Sequence, residues 1–168
     1  MYRNFFNMQR KFDNKVVRQL GIQKPSLTQK ATALLTEIGE FYNEEGSVKY
    51  WKKRKKQNLQ TALFEYIDMM KFTISIANDV GVSFKEATKA NLIYYSTMQD
   101  QLMALSYSVT MIAQYPDDNE KRKYTLGVFG LLKGIQAHCS FTDQKILEAW
   151  NAKHAENAKR LKEQLTSV

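Results

Sequence analysis

The chain is short of the residues that interrupt helices. Its 168 residues include only two prolines and seven glycines. Leu, Met, Ala, Lys, Glu and Gln are plentiful, and they favour helix. No stretch alternates apolar and polar residues between Gly or Asn turns, so no sheet is expected. The single cysteine, Cys139, has no second cysteine to pair with and suits a reducing compartment. Long apolar runs are missing as well. The least charged stretch, Gln101 to Pro116, is too short and too polar to span a bilayer. The opening MYRNFFNMQRKFDNK carries neither the apolar core nor the cleavage site of a secretory signal. A cytoplasmic protein with no membrane attachment is therefore expected. Internal repeats, low-complexity tracts and interdomain linkers are also missing, and residues 1–168 are expected to form one domain.

Charge is what the chain has in excess. Twenty-five Lys and Arg face 17 Asp and Glu, for a net charge of +8. An anionic partner is implied, and nucleic acid, a membrane surface or a nucleoside triphosphate would each qualify.

Punctuation along the chain predicts six helices and an all-α bundle. The first runs from Tyr2 to Leu20 and stops at Gly21. After the linker IQKPS, Ser26 caps a second from Leu27 to Glu45, which Gly46 ends. The basic segment SVKYWKKRKKQ leads to a third, Asn58 to Val80, before Gly81. Ser83 and Glu86 form a capping-box pattern for a fourth that ends near Tyr115 and Pro116. PDDNE is a turn, a fifth helix covers Glu120 to Cys139, and Thr142 caps the sixth.

Two pairs of acids stand out against this background. Glu37 and Glu40 lie in TEIGE on the second helix, and Glu65 and Asp68 lie in EYID on the third. Spacing of three places the members of each pair about 60° apart on one side of a helix. Like charges that close weaken a helix unless something offsets them. Leu59, Leu63, Ile67, Met70, Ile74 and Ala77 form an apolar stripe on the third helix, and Phe64, Met69, Phe72 and Ile76 extend it around most of the circumference. Its carboxylates therefore face an interior cleft and need a partner, for which a hard divalent cation such as magnesium is suited. A di-iron bundle would want Glu-x-x-His motifs, and neither His138 nor His154 sits in one.

Cations lie between the acid pairs and on the last helix. Lys49, Lys52, Lys53, Arg54, Lys55 and Lys56 occupy the connection that joins the acid-bearing helices. Cations beside a metal cluster suit a polyphosphate, and Tyr50 and Trp51 could stack on a base. Trp150, Lys153, Asn157 and Arg160 share one face of the last helix, with Lys153 and Arg160 suited to phosphates. Gln9 and Asp13, one turn apart near Phe5, Phe6 and Phe12, could read a base edge.

EIGE, 24 intervening residues and EYID together resemble the ExxE…ExxD signature of the all-α nucleoside triphosphate pyrophosphatases. That superfamily includes dimeric dUTPases, MazG-like enzymes and phage-type dCTP pyrophosphatases. The chain most resembles the dimeric dUTPase branch (dUTPase_2 type). MQRKFDNKV is similar to its N-terminal Q-x-x-L-D/N helix, KYWKK to its Trp-Lys segment, EYIDMMKF to its E-x-x-D-x-x-H-F helix, and FTDQKILEAWNAKHAENAKR to its closing segment, in which a Tyr precedes K-N-x-x-N-x-x-R-Q. The resemblance spans nearly the whole chain. Trp150 stands where Tyr is usual, His154 where Asn is, Leu161 where Gln is, and Lys71 where His is frequent; His138-Cys139-Ser140 replaces a Gly-rich LG.

The resemblance implies a bacterial or phage enzyme that hydrolyses dUTP to dUMP and pyrophosphate by attack of water on the α-phosphate. It implies Glu37, Glu40, Glu65 and Asp68 as ligands of two or more magnesium ions, or of manganese, with Glu37 and Glu40 catalytic and Glu40 orienting or deprotonating the water. It implies Lys52, Lys153, His154, Asn157 and Arg160 toward phosphates and sugar, Gln9, Asp13 and Trp51 around the base, and a homodimer, for which the apolar excess of Ile93, Tyr94, Met98, Leu102, Leu105, Val109 and Ile112 on the fourth helix also speaks. No covalent intermediate is expected. Nucleic acid is then not the expected partner, while a regulatory protein is compatible with the reading. Two alternatives stand beside it: a dCTP/dUTP or broader MazG-like pyrophosphatase, and a non-catalytic basic helical module that binds nucleic acid or protein.

Overall fold

The computed structural model describes residues 2–47, 49–51 and 58–166. The basic run Lys52, Lys53, Arg54, Lys55 and Lys56 lies outside them. Among the described residues there are seven helices and no strand: α1 (Tyr2–Leu20), α2 (Leu27–Glu45), α3 (Leu59–Asp79), α4 (Phe84–Lys89), α5 (Met98–Gln114), α6 (Asp118–His138) and α7 (Asp143–Thr166). The fold is an all-α bundle.

Local chemistry explains most boundaries. Ser26 and Gln29 cap α2 reciprocally: Ser26 Oγ accepts from the Gln29 amide at 3.2 Å, and Gln29 Oε1 accepts from the Ser26 amide at 2.8 Å. Gly46 ends that helix at φ 81°, a left-handed conformation that a side chain would strain. Asn58, Asp117 and Thr142 each accept a backbone N–H of the first turn of α3, α6 and α7.

α3 occupies the middle and packs against α1, α2, α6 and α7. Its apolar circumference is what permits this: Leu63, Ile67, Met69, Met70, Ile74, Ile76 and Ala77 are all buried. Phe5 of α1 stacks on Trp150 of α7, ring centroids 4.0 Å apart, and so ties both ends of the chain to this core.

The expected fourth helix, Ser83 to Tyr115, is two helices separated by residues 90–97. The Ser83–Glu86 capping box is present, but a second start signal follows at Thr97, whose Oγ1 accepts from the Asp100 amide at 3.1 Å. Between them the chain crosses α6 at Gly130 and Gly134. A Cβ on Gly134 would collide with Gln101 and the Ile93 carbonyl, and one on Gly130 with the Asn91 carbonyl. Hydrogen bonds hold the crossing at several points. The Ile93 amide donates to the Gly130 carbonyl at 3.1 Å. Buried Gln101 accepts from the Tyr95 amide at 2.8 Å and donates to the Ile93 and Leu131 carbonyls at 2.9 and 2.7 Å. Lys133 Nζ donates to the Thr88 and Ala90 carbonyls at the end of α4. These tertiary bonds take the place of some of the helical ones that residues 90–97 give up.

Candidate active site

Packing of α2 on α3 brings three of the four predicted acids together. Glu37 on α2 and Glu65 and Asp68 on α3 each offer a carboxylate oxygen, and these oxygens all lie within 4.8 Å of one another. The cluster is half-buried, and its charge is poorly balanced. The Glu37 carboxyl is pushed up to about 7, first by burial and then by Asp68, Glu40 and Glu65. Burial also raises Glu65, with Asp68, Glu40 and Glu44 adding to the effect and Lys153 opposing it.

One cation reaches this group from α7. Lys153 Nζ is 2.5 Å from Asp68 Oδ2 and 5.8 Å from the centre of the Phe64 ring. Burial pulls the Lys153 pKa down, but the bond to Asp68 and the charges of Asp68 and Glu65 outweigh it and hold it above its ordinary value. Glu40, the fourth predicted acid, is exposed on α2 outside the three-oxygen group. Three hard oxygen donors with one ammonium among them fit a divalent cation of the magnesium type; no histidine takes part, which disfavours redox iron.

Hollows open on both sides of the cluster. One of about 440 Å³ lies between α2 and α3, lined by Thr36, Gly39, Glu40, Asn43, Glu44 and Glu65. The other, about 610 Å³, is walled by α1, the first half of α2, and α3, with Asp68, Lys71, Ser75, Gln9, Asp13 and Asn157 on its surface. The predicted pair Gln9 and Asp13 is thus inside a cavity. Gln9 Nε2 donates to Asp13 Oδ1 at 2.7 Å, and Ser75 Oγ donates to Asp13 Oδ2 at 2.6 Å. Because a carboxylate only accepts, these bonds fix which way the Gln9 amide faces.

The remaining predicted residues are dispersed. Asn157 lines the larger cavity. His154 packs edge-on against Phe12, ring centroids 5.7 Å apart. Burial, with Lys71 and Lys15 nearby, lowers its pKa. Arg160 is exposed and paired with Glu156 on its own helix at 2.5 Å. Trp51 is 63 % exposed and meets Tyr50 edge-on, away from the cavity wall. Lys52 lies outside the described residues. The face shared by Trp150, Lys153, Asn157 and Arg160 therefore grades from core to solvent.

Sequence reading missed part of the wall. Ser75, Asn78 and Asp79 continue the face of α3 that carries Asp68 and Lys71. Their spacing of seven, ten and eleven from Asp68 was the available signal. Lys30 could not have been found this way. It is buried on α2 with Nζ 2.6 Å from Asp79 Oδ2, and Lys24 holds the other Asp79 oxygen at 2.7 Å.

Comparison with known proteins extends what the geometry suggests. No curated protein matches the chain. One family profile, described as dUTPase (dUTPase_2), matches residues 1–165. That match takes in α1 with Gln9 and Asp13, the α2–α3 pair with its acid cluster, and α7 with Lys153 as far as its last turn. The chain belongs to the dUTPase_2 family of dUTPases.

Proposed function

We propose that the chain is a magnesium-dependent dUTP diphosphatase, releasing dUMP and pyrophosphate by attack of water on the α-phosphorus. The observation that carries the reading is the half-buried Glu37, Glu65 and Asp68 cluster between a nucleoside-sized cavity and a second hollow lined by Glu40 and Glu44. Glu37, Glu65 and Asp68 would hold magnesium (or manganese), with Glu40 within reach on the same side of α2. Bound there, the metal supplies Lewis-acid charge that favours ionised water and offsets the triphosphate.

The protein's own groups supply the rest. Glu40, exposed and outside the three-oxygen group, orients the attacking water and accepts its proton on a carboxylate oxygen. Lys153 offers its ammonium to a phosphate oxygen beside Asp68. Arg160, by exchanging Glu156 for the outer phosphates, stabilises charge on the leaving pyrophosphate. Gln9 has one N–H committed to Asp13, leaving its second N–H and its oxygen for a base. A donor next to an acceptor complements the carbonyl and N3–H edge of uracil. Asn157 faces the sugar or phosphate.

The active form is proposed to be a homodimer. Met98, Leu102, Leu105, Val109 and Ile112, whose apolar excess suggested pairing, are buried in the chain's own core. The exposed apolar face of α5 and the segment before it is instead Tyr95, Met103 and Tyr107, which line one hollow, an apolar excess of the kind that marks an interface. No helix among the described residues is long and apolar enough to cross a membrane.

Pyrophosphate release from dUTP, dCTP, dTTP and dATP, with magnesium and with EDTA, tests the proposal. Magnesium-dependent release from dUTP supports it, and the ratio of dUTP to dCTP turnover tests the base reading. Release from none of the four would remove it.

A further inference from the structure

The larger cavity contains a lysine to which no carboxylate of the described residues is bonded. Lys71 is only 4 % exposed and lines the cavity wall. Among the described residues its ammonium makes no hydrogen bond and no ion pair. It lies 5.7 Å from the centre of the Trp150 ring, and Asp68 and Glu156 act on it only through their charges. The other lysines buried on this side are matched: Lys30 with Asp79, and Lys153 with Asp68. Asp68 is one turn from Lys71 on the same helix, yet its Oδ2 is occupied from across the fold by Lys153.

A largely buried lysine whose ammonium opens only into a cavity and has no anion bonded to it is costly to keep charged. A tryptophan face cushions it only in part. The wall is therefore complementary to a negative group. Resting on the nucleotide reading above, we infer that Lys71 binds the α-phosphate of the nucleotide and retains the monophosphate product in the cavity.

Position on α3 selects that phosphate. Asp68, Lys71 and Ser75 follow one another along a single helical face, with rises of about 4.5 and 6 Å between them. Asp68 belongs to the acid cluster, and Ser75 is bonded to Asp13 in the part of the cavity assigned to the nucleoside. A group held at Lys71 lies between the two, where the α-phosphate joins the sugar. The β- and γ-phosphates extend the other way, toward Lys153 and the hollow beyond Glu65. Lys71 and Trp150 are also two of the positions at which this chain departs from the family pattern, and the fold places one against the other. A neutral sugar hydroxyl would leave the charge uncompensated, so the phosphate is the better complement.

Calorimetric titration of the full chain in magnesium with dUMP and with deoxyuridine tests this. Wild type is expected to prefer dUMP. Lys71→Met is expected to weaken dUMP binding about tenfold or more while leaving deoxyuridine unchanged, and Lys71→Arg to restore most of the preference. Lys71→Gln, which removes the charge and keeps a polar chain, serves as a second variant and should behave like Lys71→Met. An undiminished preference for dUMP in the uncharged variants would overturn the inference. So would equal loss of deoxyuridine binding, which would mark a sugar contact. Wild type that does not distinguish the two ligands overturns it as well. In that case magnesium-dependent dUTP turnover shows whether the wider function survives, and absence of turnover removes both.

Discussion

Lys153 on α7 and Asp68 on α3 meet at 2.5 Å, joining the last helix to the central one at the edge of the acid cluster. The bond gives the cluster its only direct cation among the described residues. It also places an ammonium where phosphate must arrive. Lys153→Ala is expected to lower kcat/KM for dUTP by about 10²-fold, the usual scale for losing one charge-stabilising contact in a transition state. Magnesium half-saturation should not rise, because removing the cation leaves the carboxylates more negative. Steady-state kinetics over a magnesium series would decide; a variant with unchanged kcat/KM would remove Lys153 from the mechanism.

Glu40 separates chemistry from structure. It is exposed at the edge of the hollow between α2 and α3, so Glu40→Gln should change stability by less than about 0.5 kcal/mol. Turnover should fall by about 10²- to 10⁴-fold if its carboxylate handles the proton of the attacking water. A calorimetric scan beside a pyrophosphate assay measures both. Near-normal activity in this variant would contradict the proposed role.

The raised carboxyls predict how stability depends on pH without metal. Burial and the neighbouring carboxylates push the Glu37 carboxyl up to about 7 in the folded chain, against an ordinary value of 4.5. Between those values the folded state holds more protons than the unfolded state. The Glu37 contribution is therefore fully present below the lower value and is lost as pH rises through the upper one. His154, held below its ordinary value by burial, Lys71 and Lys15, acts in the opposite direction. The diagnostic is thus a difference between two proteins. In EDTA, raising the pH from about 5.5 to 7.5 should lower Tm more in wild type than in Glu37→Gln. Magnesium should remove that excess, because it gives the ionised oxygens a partner. Parallel Tm profiles for the two proteins in EDTA would contradict the assignment.

The crossing over α6 should be intolerant of added volume. Gly134→Ala places a methyl against the Gln101 amide and the Ile93 carbonyl, both already bonded to each other. Backbone cannot move aside as a flexible side chain end can. Destabilisation of about 2–4 kcal/mol is expected, by denaturant titration. Gly127→Ala has open space at the same helix and should be neutral or slightly stabilising.

The exposed aromatic face predicts a change of assembly. Tyr107 and Met103 are 58 % and 67 % exposed on α5. If this face pairs two chains, Tyr107→Lys and Met103→Lys together should convert a dimer to a monomer in sedimentation, with the helix content kept. A wild-type chain that sediments as a monomer at micromolar concentration would withdraw the dimer.

Much of this was legible one segment at a time. The ends of α1, α2 and α3 lie at or within one residue of their predicted positions, because caps and left-handed glycines act over three or four residues. EIGE and EYID announced the acid cluster for the same reason: spacing of three is a property of one helix. The split of the expected fourth helix was not read, although Thr97 and Asp100 carried the signal. Its apolar residues satisfy a helical pattern, and only the approach to Gly130 and Gly134 makes an extended crossing better bonded.

The sequence by itself determined the ends of α1, α2 and α3, the all-α class, the acid pairs and the family, since each rests on local spacing or on an ordered set of motifs. Tertiary structure alone decided which groups share the site. It joined Glu37 to Glu65 and Asp68 while leaving Glu40 in solvent, gave Asp68 to Lys153 rather than to Lys71, and bonded Asp13 to Ser75. Those pairings depend on where separate helices cross. A residue 85 positions away in the chain can become the nearest charge only after the apolar faces between have packed.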